Sequence, residues 1–286
     1  MSNQSDEENQ QQYGIYNPNN IKLTSEAIQE MLLKGGITEK INNIETWQQA
    51  FVHKSYCKNN KKKLYGFEPS NMKDIDPATY MKYMYEGSNE VLEWLGDGVL
   101  QSVVACYLSR RYVGQDEGFL TKLRSKLVKT EALSKMAKFL DMPKYIIMSE
   151  HVEKACNGRS NAKILEDAFE SLLGSLMEDF GNDESCRGYM IANKFIINCI
   201  ESSVDITELI LNDDNYKDRL MKYYQKMYNG QYPKYIEEES QEDKIYRVNI
   251  FDPEGTKVGH GYAKSKKEAE QRAAKQALYT FGIKIY

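Results

Sequence analysis

Histidine and cysteine are scarce in this chain, at three and five of 286 residues, and that scarcity removes several kinds of chemistry. The cysteines (Cys57, Cys106, Cys156, Cys186 and Cys199) are odd in number, scattered and never spaced as Cys-x-x-Cys. That pattern argues against a disulfide framework and against zinc, and it fits a reducing compartment. His53, His151 and His260 lie far apart and form no site; they read as a packing or capping residue, a loop residue and a strand residue. No Ser/His/Asp order and no glycine-rich phosphate loop competes for the chemistry. Apolar runs fall short of the ~20 residues a membrane span needs, and the polar, acidic N-terminus has no hydrophobic signal region. The expectation is an intracellular protein, cytoplasmic or nuclear, neither secreted nor partnered by a membrane.

What is present is ordinary in bulk and uneven in detail. An apolar content of 41% with 28% charged residues is that of a soluble globular protein, and the length suggests two domains. A net charge of −4 and a pI near 5.6 look wrong for a polyanion binder. Splitting the chain resolves most of this. Residues 214–286 hold 14 Lys and Arg against 11 Asp and Glu, whereas residues 1–213 hold 24 against 31. A polyanion meets the local distribution, so the basic tail matters more than the total. The weight of Lys, Asn, Ile and Tyr suggests an AT-rich genome, such as that of a large DNA virus or a protist.

Acids dominate the first part in an ordered way. In the run Asn89 to Leu100, helical spacing places Glu90, Glu93 and Asp97 within about 60° of one another, while Leu92, Leu95, Val99 and Val103 line another face. A second such stripe follows about 70 residues later. Lys163, Asp167 and Glu170 share one face there, opposite Leu165, Phe169, Leu172 and Leu176. Aligned carboxylates repel, the more so as they lose water, and a cation is the usual remedy. Two helices of this kind can be packed so that four acids converge. Carboxylates without Cys or His favour Mg²⁺, or Mn²⁺ in its place, over zinc. Such a centre suits metal-assisted phosphodiester hydrolysis. For any single Glu-x-x-Glu, a solvated acidic face is the competing explanation.

These residues also carry a resemblance. The run from Asn89 to Leu100 resembles the signature of the ribonuclease III family, Asn-Glu-Arg-Leu-Glu-Phe-Leu-Gly-Asp-x-Val-Leu. Asp167 to Ser171 resembles that family's second acidic motif, Asp-x-Phe-Glu-Ser. Glu117 to Val128 is similar to its linking helix, and Ala50 to Tyr56 to its first His-Arg-Ser-Tyr helix. The resemblance implies Glu93, Asp97, Asp167 and Glu170 as metal ligands, with Asp97 and Glu170 catalytic and Glu90 structural near a subunit contact. Val91 stands where the family has Arg and Trp94 where it has Phe; neither change removes a ligand. Lys163 resembles a feature of the Dicer-like branch, where it counts as catalytic. Its ammonium either stabilises charge on the transition-state phosphate or simply pairs with Asp167 on the surface.

Along the chain, residues 1–20 read as a disordered N-terminus and 21–203 as an all-helical catalytic domain. The latter has an insertion at about 58–85 whose Lys61, Lys62 and Lys63 either touch RNA phosphates or form a solvated run. Residues 204–213 read as a linker. From 214 to 286 the pattern is helix (Tyr216–Tyr228), strand (Tyr235–Glu239), strand (Lys244–Phe251), strand (Lys257–Lys264) and a helix capped by Ser265. A turn at Asp252–Gly255 joins the last two strands. The fold class is therefore α+β, a helical domain followed by a small α-β-β-β-α unit.

That α-β-β-β-α order resembles the double-stranded RNA-binding domain. Lys264, Lys266 and Lys267 then sit at a helix N-terminus, where charge and N–H donors suit the phosphates flanking an A-form groove. Two features depart from that family. The loop Ser240–Asp243 is acidic and lacks the expected His, and Met221 and Lys222 replace polar minor-groove readers.

Together the two resemblances imply a homodimeric endoribonuclease that cuts double-stranded RNA, leaving 5′-phosphates and staggered 3′ overhangs. A non-cleaving sequesterer of duplex RNA would have lost acids. A helical enzyme acting on a small diphosphate would show Asp-rich motifs and no RNA-binding tail.

Overall fold

The computed structural model describes residues 16–57, 87–181, 186–211, 215–239 and 245–283. The expected insertion at 58–85, with Lys61–Lys63, lies outside them, as do residues 1–15 and the Ser240–Asp243 loop. The described chain forms two compact units that divide between Asp205 and Ile206.

The first unit is helical. Helices α1 (Ser25–Lys34) and α2 (Ile44–Ala50) precede a short 3-10 turn at Lys54–Tyr56, and α3 (Glu90–Arg111), α4 (Glu117–Leu127) and α5 (Thr130–Phe139) follow. After a 3-10 turn at Met142–Tyr145 come α6 (Glu150–Ala155), α7 (Ala162–Phe180) and α8 (Arg187–Ser203). Both acidic stripes fall on the two longest helices, α3 and α7. Alternating Leu, Phe and small residues bury α7 along almost its whole length. Around it pack α2, α3, α5 and α8. Contrary to the hydropathy expectation, α3 is long and apolar enough to cross a membrane. Its Leu100, Val103 and Val104 are instead buried in the unit's core.

Asn161 starts α7, its Oδ1 accepting from the backbone N–H of Lys163 at 3.0 Å. The segment resembling the His-Arg-Ser-Tyr helix is a ligature more than a helix. His53 N–H donates to Ile147 O at 2.9 Å, and Asn89 N–H donates to Val52 O at 2.9 Å, which fixes where α3 begins. The His53 ring caps the following 3-10 turn, Nδ1 accepting from the backbone N–H of Ser55 at 3.2 Å. His151, expected in a loop, lies in the first turn of α6 and is exposed.

Two local expectations are corrected. Residues 16–20 belong to the fold: Asn17 is buried, and Asn17 and Asn20 each donate through Nδ2 to Met148 O at 3.0 Å. Their amides satisfy a loop backbone, so a polar composition that signals disorder serves hydrogen bonding instead. Within the expected linker, Ile206–Leu211 is a helix, α9. That stretch contains neither Gly nor Pro to break it.

In the second unit, α10 (Tyr216–Met227) precedes β1 (Lys234–Glu239), β2 (Tyr246–Phe251), β3 (Lys257–Ala263) and α11 (Lys266–Thr280). The sheet is antiparallel in the order β1-β2-β3, with Glu237 opposite Val248 and Val248 opposite Gly261. Val248 and Ile250 meet Leu220 and Tyr224 of α10 and the alanines of α11 in one core. Gly261 lets α11 come close: a Cβ there would stand 2.3 Å from Ala269 O. The Asp252–Gly255 turn forms as expected, Gly255 N–H donating to Asp252 O at 3.1 Å.

Candidate active site

Helices α3 and α7 touch backbone to backbone. A Cβ on Gly174 would stand 2.2 Å from Leu92 O, and one on Gly96 would meet Glu170 O. Only glycine permits this approach, and it brings the acidic stripes together. Glu93, Asp167 and Glu170 each present a carboxylate oxygen within 4.8 Å of the others. Asp97, the fourth expected acid, is outside this trio; its Oδ1 accepts from Gln101 Nε2 at 3.2 Å along its own helix. Glu90, which the resemblance implies is structural, lies outside the trio too. It accepts from Ser88 Oγ at 2.9 Å and pairs with Lys54 at 3.2 Å.

Burial, with like charges behind it, disfavours the ionised form of two of these groups. Burial, then the charges of Asp97 and Glu166, push the Glu170 carboxyl up to about 8. Glu93 is also raised, by burial and then by Asp167. Lys163 Nζ stands 2.8 Å from Asp167 Oδ1 and 3.2 Å from Glu166 Oε2. Burial acts against the ammonium, but the two carboxylates outweigh it and raise its pKa. Glu166 is a member of the site that sequence reasoning passed over. The available signal was its spacing, three residues from Lys163 and four from Glu170 on a helix. An all-carboxylate cluster in which Glu93 and Glu170 are raised by burial and by neighbouring carboxylates fits a hard divalent cation, which would offset that negative charge.

A shallow groove lined by Cys106, Tyr107, Arg110, Arg111, Asn193 and Ile197 lies toward the other end of α3 and contains none of these acids. In the second unit, Ser265 caps α11, accepting from Glu268 N–H at 3.3 Å. Lys264, Lys266 and Lys267 are all exposed around that cap. Lys266 is engaged by Glu237 of β1. On α10, Lys222 pairs with Asp218 at 3.0 Å.

A helical unit centred on converging carboxylates, followed in the same chain by an α-β-β-β-α unit with lysines at a helix start, defines a two-part class of protein built to meet a phosphodiester polymer. Residues 43–198 match the ribonuclease-III-like family profile, and residues 216–279 match the double-stranded RNA binding motif. A probable ribonuclease 3 of Acanthamoeba polyphaga mimivirus is 30% identical over 273 residues, which is 93% of this chain but 47% of that relative. This chain thus spans about half the viral relative's length. Ribonuclease 3 of Chlorobaculum tepidum is 34% identical over 193 residues, covering 67% of this chain and 68% of its own. Among solved structures, the nuclease domain of ribonuclease III from Campylobacter jejuni aligns at 25% identity with a TM-score of 0.45, over 62% of this chain and 98% of its own. The chain belongs to the ribonuclease III family of endoribonucleases and carries a C-terminal double-stranded RNA-binding domain.

Proposed function

We propose that this protein is a metal-dependent endoribonuclease that cuts double-stranded RNA, as a homodimer, into products with 5′-phosphates and staggered 3′ overhangs. One observation carries the reading: Glu93, Asp167 and Glu170 meet across the α3–α7 crossing in a chain that also holds an RNA-binding domain. These three acids, with Asp97 swung away from Gln101, would hold Mg²⁺ or Mn²⁺. When bound there, the cation supplies a water of lowered pKa and neutralises charge on the phosphate.

The chain's own groups do the rest. Lys163 holds an ammonium at the rim, where charge builds on the phosphoryl oxygens. Lys264 and Lys267 anchor the duplex by its phosphates, independent of sequence. Val91 and Trp94 lie one turn apart on α3 beside the acids, 74% and 78% exposed, and an apolar pair so open is a contact surface awaiting a second copy. Duplex RNA and reduced cysteines both fit a site of action inside the cell.

The test is to incubate the protein with a long perfect RNA duplex, with Mg²⁺ and with EDTA, and to map product ends. Duplex fragments with 5′-phosphates and 3′ overhangs, formed only with the metal, are expected. An intact duplex alongside degraded single strands would overturn the assignment.

A further inference from the structure

Lys163 and Glu166 are charged groups at this site that the four expected acids leave unexplained. On a helix, residues three and four positions on lie side by side above a given residue. Lys163 therefore reaches Glu166 and Asp167 together, at 3.2 and 2.8 Å. The two carboxylates are not equivalent. Asp167 belongs to the trio whose oxygens converge, whereas Glu166 does not. Glu166 is also the more withdrawn from water, its residue 9% exposed, while the Lys163 side chain that meets it is 62% exposed. A carboxylate so buried is costly unless it has a charged partner.

We propose that Glu166 is a positioning residue that takes over the Lys163 ammonium when a divalent cation engages Asp167. A cation and an ammonium sharing Asp167 would repel each other, so the ion pair opposes metal binding. Glu166 offers an oxygen already 3.2 Å away, and rotation of the lysine side chain completes the transfer with no movement of backbone. The ammonium then stays at the edge of the site instead of leaving for water.

This inference rests on the metal-dependent reading above, and its test separates the two. Mn²⁺ affinity is measured by calorimetry on the full chain without RNA, for the wild type, Glu166→Gln, Lys163→Met and the double variant. Glu166→Gln should weaken Mn²⁺ about tenfold in the wild type but less than about threefold in the Lys163→Met background, a coupling that independent sites do not show. Lys163→Met alone should tighten binding, because Asp167 is no longer shared. Equal loss from Glu166→Gln in both backgrounds would overturn the proposal, since Glu166 would then act as plain negative charge or as a ligand. Failure of the wild type to bind Mn²⁺ would overturn the metal-dependent reading and this inference with it. Melting temperatures are recorded for each variant. Loss of the fold in both Glu166→Gln and Glu166→Leu would also overturn the proposal by making Glu166 a packing residue.

Discussion

Gly96 lies directly against the backbone of Glu170: a Cβ at position 96 would stand 1.7 Å from the Glu170 carbonyl oxygen and 2.9 Å from Gly174 N. The helix crossing that holds the acids together thus depends on a missing methyl group here, as it does at Gly174. Backbone atoms, unlike the end of a flexible side chain, cannot move aside locally. The helices must separate to admit any larger residue.

Gly96→Ala should therefore destabilise the first unit by about 3 kcal/mol or more. It should also abolish cleavage, because Glu93 and Glu170 move apart with their helices. Urea unfolding followed by circular dichroism checks the first effect. Gly98→Ala is the control on the same helix, since nothing lies within 4 Å of its added Cβ. That change should leave the fold at least as stable, gaining up to about 1 kcal/mol in helix propensity.

Glu170→Gln keeps the shape of a ligand while removing its charge. Turnover with Mg²⁺ should fall by about 10² or more, while duplex binding survives or tightens because repulsion of phosphate is relieved. Parallel cleavage and gel-shift assays read the two effects. Asp97→Asn should behave alike if Asp97 leaves Gln101 to join the metal. Unchanged cleavage by Asp97→Asn would leave the trio sufficient.

The metal-free protein should lose stability as pH rises from about 4.5 to about 8. Between its ordinary value of 4.5 and its raised value of about 8, Glu170 keeps a proton in the folded state that it has lost in the unfolded state. The folded state binds more protons in that window, so unfolding becomes easier as pH increases. Glu170→Gln should flatten this slope in melting curves recorded across the window. Adding Mg²⁺ near pH 7 should release close to one proton, measurable by calorimetry in buffers of different ionisation enthalpy.

Trp94→Glu should convert a dimer to a monomer without unfolding it, since the side chain is open to solvent in the isolated chain. Sedimentation at several protein concentrations reads the change. A variant that sediments as the wild type does would place the dimer contact elsewhere.

Replacing Lys264 and Lys267 together by Ala should weaken duplex binding and reduce the steepness of its salt dependence by about one unit per lost phosphate contact. Lys266→Ala should cost less at low salt, because Glu237 already occupies that ammonium. Fluorescence anisotropy across a salt series distinguishes the two.

Much of the architecture was legible because periodicity is a local property. The strand read at Lys244–Phe251 and the helix capped by Ser265 are elements that the structure places within a residue or two of expectation. Helical spacing likewise put Glu93 with Asp97, and Asp167 with Glu170, on common stripes. The course of residues 16–20 was not legible. Asn17 and Asn20 find the Met148 carbonyl more than 120 residues away, and nothing in a run of Asn and Pro announces a partner that distant.

By itself, the sequence determined most of the helices, the strands, the family and the acids available for chemistry, since each rests on residue type and spacing along the chain. Which of those acids share one space was decided by the packing of α3 on α7. Side-chain rotation turned Asp97 toward Gln101, and helix rotation buried Glu166 beside Lys163. The reason is one of distance. Charges interact across a few ångströms, and the roughly 70 residues between the two acidic stripes say nothing about separation until the backbones at Gly96 and Gly174 have met.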